Sequence, residues 1–422
     1  MLISNAPITT GREGSKNEMI VAVDCLDEII PEENSFEALK NFHEQKKDWL
    51  FGFLSYDVKN ETENLTSENF DGLGFPKMNF FQPKYVFIVR GNKVEIGYLP
   101  EVSSEKEVEN LFYEIANRQS PVTSRQSNIE LESRVSREEY IQTILEIKNH
   151  IQRGDIYEMN FCMEFFSKEE EISPQEVFLK LNETSQAPFS ALYRLDDKYL
   201  MCASPERFLK KDGSKIISQP IKGTSKRGKT VEEDLSSKEK LRNSVKDKSE
   251  NVMIVDLVRN DLSRTCNNVK VDELFGVYSF KQWHQMISTV SGEMKEGIHF
   301  TDVIKNSFPM GSMTGAPKLS AMKLIEQYEK TKRGLYSGTV GYIAPEGDFD
   351  FNVVIRSIFY NSTSKYLSFQ VGSAITANSI PEEEYEECLL KAKGMFEALK
   401  SPSPSLPQGK GEKILPSEIA FS

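Results

Sequence analysis

Short apolar runs separated by turns fill the first 120 residues. Ile20-Val21-Ala22-Val23, the segment Trp49 to Tyr56 and Tyr85-Val86-Phe87-Ile88-Val89 each read as a buried strand. Glu105 to Asn117 repeats its apolar positions at helical spacing, and the polar stretch Gln119 to Glu130 breaks the pattern. Ser136-Arg137-Glu138-Glu139 then reads as a capping box opening a helix, carried on by Tyr140, Ile141, Ile144, Leu145 and Ile147 and stopped at Gly154-Asp155. A strand from Ile156 to Phe161 follows. From there to about residue 400, strands and helices mix without the regular alternation of a doubly wound sheet. Hairpins are predicted at Tyr193 to Asp197 and at Phe359 to Ser364, so the fold class is α+β with mostly antiparallel pairing. The organisation expected is an N-terminal region over 1–120, a linker over 121–135, a catalytic region over 136–398 and a tail over 399–422. The tail begins Ser-Pro-Ser-Pro at Ser401, has too little apolar content to fold, and is predicted to be disordered.

A chain of 422 residues with 38% hydrophobic and 27% charged content describes a soluble protein with a sizeable core. Its net charge of −12 disfavours nucleic acid, whose recognition needs basic residues against phosphates. No apolar run is long enough for a membrane span, and the N-terminus lacks the basic and apolar regions of a signal peptide. Five scattered cysteines read as reduced thiols of the cytoplasm. Four dispersed histidines argue against a soft-metal site, so any metal would be a hard cation held by carboxylates.

Candidate chemistry centres on Lys222, in Gln219-Pro220-Ile221-Lys222-Gly223-Thr224, sixteen positions after Glu206 of Ser204-Pro205-Glu206-Arg207-Phe208. Proline fixes the backbone before the lysine, and glycine lets another group approach just after it. The pair reads as a nucleophile and a proton donor for one small substrate, provided burial holds the lysine as a free amine and raises the pKa of the glutamate. A structural ion pair of Glu206 with Arg207 is disfavoured, because successive strand residues face opposite sides.

The chain resembles the chorismate-utilising enzymes over roughly residues 1 to 398, and within them the aminodeoxychorismate synthase component I group. The motifs stand in the family's order: Gly52-Phe53-Leu54-Ser55-Tyr56-Asp57, Gly154-Asp155-Ile156-Tyr157, Ser204-Pro205-Glu206-Arg207-Phe208, Pro220-Ile221-Lys222-Gly223-Thr224 and the run Glu250 to Asp261. Gly311-Ser312-Met313-Thr314-Gly315-Ala316-Pro317-Lys318, Gly334-Leu335-Tyr336-Ser337-Gly338 and Pro381 to Glu387 complete the set. Similar anthranilate synthases carry alanine where Lys222 stands. The resemblance implies a sandwich of mostly antiparallel sheets with helices outside.

The activity implied is replacement of the 4-hydroxyl of chorismate by ammonia, giving 4-amino-4-deoxychorismate. In that reaction Lys222 is the covalent nucleophile, Glu206 the proton donor and His284 an active-site histidine. Substrate contacts fall to Arg356, Tyr336, Gly223, Thr224, Gly315, Ala316, Gly372, Ser373 and Lys391. Pro317 is expected at the first position of a helix whose amides cradle a carboxylate. A magnesium ion is expected near Glu250 and Glu387, with Asp247 and Glu384 three residues before each and so on the same helix faces. Glu158 departs from the pattern, standing where relatives have glutamine, or lysine in the isochorismate-forming branch. The sequence has no glycine-flanked nucleophilic cysteine followed by a His-x-Glu pair, so the ammonia is expected from a separate glutaminase subunit. Rival readings are an anthranilate synthase component I and a catalytically degenerate binding subunit.

Overall fold

The computed structural model describes residues 1–5, 18–117, 129–281, 283–400 and 419–421. The core of the linker and residues 401–418 of the tail lie outside them. The predicted helix Glu105–Asn117 forms with those bounds. The helix Arg137–Arg153 opens on Ser136 with the reciprocal capping box and ends on left-handed Gly154. Both hairpins form, one with Asp196 in the left-handed turn that joins Phe189–Leu195 to Lys198–Ser204, the other joining Ser357–Asn361 to Tyr366–Thr376. The predicted tail starts late, since the last long helix runs from Pro381 to Lys400. Ile419–Phe421 then lies parallel to the strand Lys93–Tyr98, and the other strand pairings among the described residues are antiparallel. No described helix is long and apolar enough to cross a membrane.

The strands join into one network that ties the N-terminal region to the rest. Leu50–Leu54 pairs with Thr339–Ile343, and Leu2–Asn5 pairs with Phe189–Leu195. One apolar cluster is built mainly from strand residues such as Phe51, Phe53, Phe80, Phe349 and Phe351. A second packs helices against the sheet: Tyr140, Ile144, Leu181, Ile325, Ala392 and Met395 close over Phe161, Phe165, Phe369 and Val371. The strand Glu158–Ser167 is buried along its whole length, between Tyr366–Thr376 on one side and Gly315–Ala316 on the other. Burial on both faces encloses Glu158, Asn160 and Glu164 among its apolar residues, so each must find a polar partner inside.

Candidate active site

Lys222 enters the interior through an irregularity in its strand. Ile221 pairs with Ile287 and Thr224 with Gln285, so the strand Ile221–Lys226 carries one extra residue against Trp283–Met294. Such a bulge re-aims side chains, and Gly223 takes up the left-handed turn at φ 90°. Glycine is also needed for space: a Cβ there would sit 2.9 Å from Cβ of Asp247. The result is a lysine only 8% exposed at the wall of a cavity of about 440 Å³.

Glu206 lines the same cavity, 4% exposed. Its backbone is pinned on both sides, with Val353 N–H donating to its carbonyl and its own N–H donating to Ser204 Oγ. Arg207 turns away and grips Asp350 through two 2.9 Å bonds, with Gln219 as a further partner. The adjacent arginine is therefore taken, and Glu206 has no ion pair with it. Burial pushes the Glu206 carboxyl up to about 7, against the opposing pull of Lys222.

The expected neutral amine is corrected. Lys222 Nζ donates to Glu158 Oε1 at 2.7 Å, and both side chains are nearly inaccessible. Burial disfavours the ammonium, but Glu158, Glu250 and Glu206 together outweigh it and raise the lysine pKa. The resting amine is charged. Glu158 stands out in the sequence, but nothing local links it to Lys222, because the two meet only through long-range strand packing.

The carboxylates of the two late helices reach the cavity as their spacing implied. Asp247 and Glu250 come from Val245–Thr265, Glu384 and Glu387 from Pro381–Lys400, and all four line the wall. Two already have cations: Lys246 lies 3.2 Å from Glu384 and Lys391 lies 2.7 Å from Glu387. Lys391 holds Glu387 down at about 2, so that group is ionised at neutral pH. Burial raises Glu250 to about 7, and its Oε1 has no hydrogen-bond partner. Among the described residues no three acidic, histidine or cysteine side chains come close enough to form a ready-made metal centre. The donor chemistry still suits a hard cation, through the free oxygen of Glu250 and the ionised Glu387.

Arg356, Tyr336, Thr224, Gly372 and Lys391 line the cavity as expected. Arg356 sits in the left-handed region at φ 52°, a costly backbone for a non-glycine residue, and it also faces an adjoining cavity of about 340 Å³. Lys391 Nζ donates to the Gly372 carbonyl at 2.8 Å.

Four expected residues do not line it. His284 is fully buried with Nδ1 2.8 Å from Ser279 and Nε2 3.0 Å from Asp234, while its neighbours Trp283 and Gln285 face the cavity. Strand alternation places an amide there and sends the imidazole to the opposite side. Ser373 likewise turns away, its hydroxyl 3.0 Å from Tyr140, whereas Gly372 and Ala374 face in. Gly315 and Ala316 pair with Met159 and Glu158 instead of meeting a ligand, so Ser312 and Met313 supply that part of the wall. Pro317 precedes the helix Lys318–Tyr328 as its cap and not as its first residue. Besides Gln285, Lys246 was missed, though its place one turn before Glu250 was a usable signal.

Behind the cavity floor lies a buried ion pair. Arg333 bonds both oxygens of Glu329 at 2.6 and 2.9 Å and donates to the carbonyls of Met313 and Asn160. Met313 and Asn160 both line the cavity, so this guanidinium ties two of its walls together.

Residues 9–397 match the family of chorismate binding enzymes. The chain is 40% identical over 263 residues to a probable chloroplastic aminodeoxychorismate synthase of rice, a match covering 61% of this chain but 29% of that longer protein. Against aminodeoxychorismate synthase component 1 of Bacillus subtilis it is 31% identical over 361 residues, covering 83% of this chain and 76% of the relative. The crystal structure of anthranilate synthase component I from Streptococcus pneumoniae superposes with a TM-score of 0.79 over 92% of this chain and 94% of that one, at 24% identity, which speaks for the fold. Fold, cavity and sequence likeness agree that this chain belongs to the chorismate binding enzyme family.

Proposed function

We propose that the protein is the aminating component of aminodeoxychorismate synthase, converting chorismate and ammonia to 4-amino-4-deoxychorismate. One observation carries the reading: Lys222 and a Glu206 raised to about 7 line one cavity of suitable size. Hydroxide leaves poorly, so the 4-hydroxyl needs a proton, and a buried carboxyl near neutrality supplies one. Once it has given up its proton, Lys222 bonds ring carbon C2 as the hydroxyl leaves C4, ammonia then bonds C4, and the lysine is released and protonated again. Arg356 and Lys391 bring positive charge to the cavity wall, as a dianionic substrate needs.

Magnesium fits this reading as an added cofactor. Glu250 and Glu387 would hold it, and when bound it would neutralise a substrate carboxylate. The component 1 designation of relatives supports a separate ammonia-supplying glutaminase subunit. The five free thiols support a cytoplasmic setting.

Purified protein given chorismate, an ammonium salt and Mg²⁺ should form a product that an added lyase converts to 4-aminobenzoate. Fluorescent anthranilate instead would establish the rival reading, and no turnover at high ammonia would establish a degenerate binding subunit. Turnover should also carry the signature of Glu206. Its acid form is present below about pH 7 and lost above it, so kcat/KM should fall as pH rises through that value. In Glu206→Gln that alkaline limb should vanish and the rate should drop by about a hundredfold or more.

A further inference from the structure

We propose that Glu158 is the proton partner of Lys222: it positions the amine in the resting cavity and takes its proton as the nitrogen turns to bond carbon. The inference rests on the amination reading above.

Glu158 Oε1 lies 2.7 Å from Lys222 Nζ, and its other oxygen, Oε2, is buried without a partner. The residue is 1% exposed and is not part of the cavity wall, whereas Lys222 is. It therefore acts on substrate only through the lysine. Its backbone is held on both sides, opposite Ala316 in one strand and Thr376 in the other, which fixes the carboxylate for directed proton transfer. Four carboxylates act on the amine: Glu158 from its strand, Glu250 from the helix Val245–Thr265, Glu206 from its loop and Glu387 from the helix Pro381–Lys400. Glu206 is committed to protonating the departing hydroxyl. Glu158 is the carboxylate with a hydrogen bond to the amine, and it has an open oxygen to spare.

The step balances. The ammonium passes one proton to Glu158, leaving a neutral amine and a carboxylic acid. The nitrogen lone pair bonds C2, the ring double bonds shift, and the C4–O electrons leave with the proton of Glu206 as water. Ammonia bonds C4, the C2–N bond breaks, and the released amine recovers its proton from Glu158. The new C4 ammonium returns a proton to Glu206. No oxidant or further reactant is needed.

A glutamine at this point would hold the lysine with an amide that cannot accept its proton. The test therefore compares Glu158→Gln with wild type, at saturating chorismate, ammonia and Mg²⁺, over about pH 6 to 9. Losing the charge of Glu158 lets Glu250 ionise at lower pH in the variant, which would raise the ratio of the two kcat values towards acid pH, opposite in sign to the fall expected from the lysine. In the variant the lysine must lose its proton to solvent, so the ratio should fall about tenfold per pH unit on the acid side. The KM for chorismate should hold, because Glu158 lies behind the wall. A ratio constant across pH, whether below or above one, marks a purely structural role and overturns the proposal, as does a change confined to KM. If Glu158→Gln fails to fold, Glu158→Met, which is similar in size and also lacks a proton acceptor, is read in its place with the same expected and overturning outcomes. Failure of the underlying reading looks different: wild-type protein then makes no 4-amino-4-deoxychorismate at any pH.

Discussion

Lys222→Ala is expected to cut turnover of chorismate with ammonia by about three orders of magnitude, because it removes the covalent route altogether. Mass spectrometry of wild-type protein quenched with chorismate should show an adduct on the peptide carrying residue 222, absent from the variant. Truncation also leaves Glu158 buried with neither oxygen paired, a cost to folding by itself. Lys222→Arg separates the two effects. Its guanidinium retains the charge against Glu158 but stays protonated and cannot attack carbon. A stable, inactive Lys222→Arg supports the nucleophile role, and near-normal activity in either variant would remove it.

Arg333→Ala should produce the largest loss of stability of any single change near the cavity. Arg333 and Glu329 are 1% and 3% exposed, so the substitution strands a carboxylate in the interior. Breaking such a pair costs about 3–5 kcal/mol. The carbonyls of Met313 and Asn160 lose their donor at the same time. Urea unfolding followed by circular dichroism should show a lower midpoint with little change in slope. A midpoint within error of wild type would mean that Asn160 is held by its strand and Met313 by its turn of 3-10 helix alone. Chorismate should stabilise the variant less than wild type if those two residues shape its site, since the stabilisation a ligand gives follows its affinity for the folded state.

Much of this arrangement could be read from the chain, and the failures share a physical cause. Capping boxes, the three-residue spacing of carboxylates on helices and the turn residues of hairpins are local, and the capping box at Ser136, the paired acids and both hairpins appear where expected. The errors at His284 and Ser373 are errors of facing, while Gly315 and Ala316 are taken up by pairing with Met159 and Glu158. A strand shows alternate residues to opposite sides, and one step in register exchanges Gln285 for His284 or Gly372 for Ser373. The bulge that turns Lys222 inward is hinted at by Gly223, but only pairing with Trp283–Met294 reveals it. The partnership of Lys222 with Glu158 spans 64 residues and had no local mark at all.

The sheet also decides how the molecule can be divided. A cut at the polar stretch near residue 120 separates two lengths of sequence but not two folding units. It would strip Leu50–Leu54 from Thr339–Ile343 and Leu2–Asn5 from Phe189–Leu195, leaving the larger fragment with bare amide and carbonyl rows. Exposed rows of that kind recruit other chains, so the fragment holding every candidate catalytic group would be prone to clumping. The described part of the opening 120 residues, none of which lines the cavity, acts as a built-in guard for the part that does the chemistry.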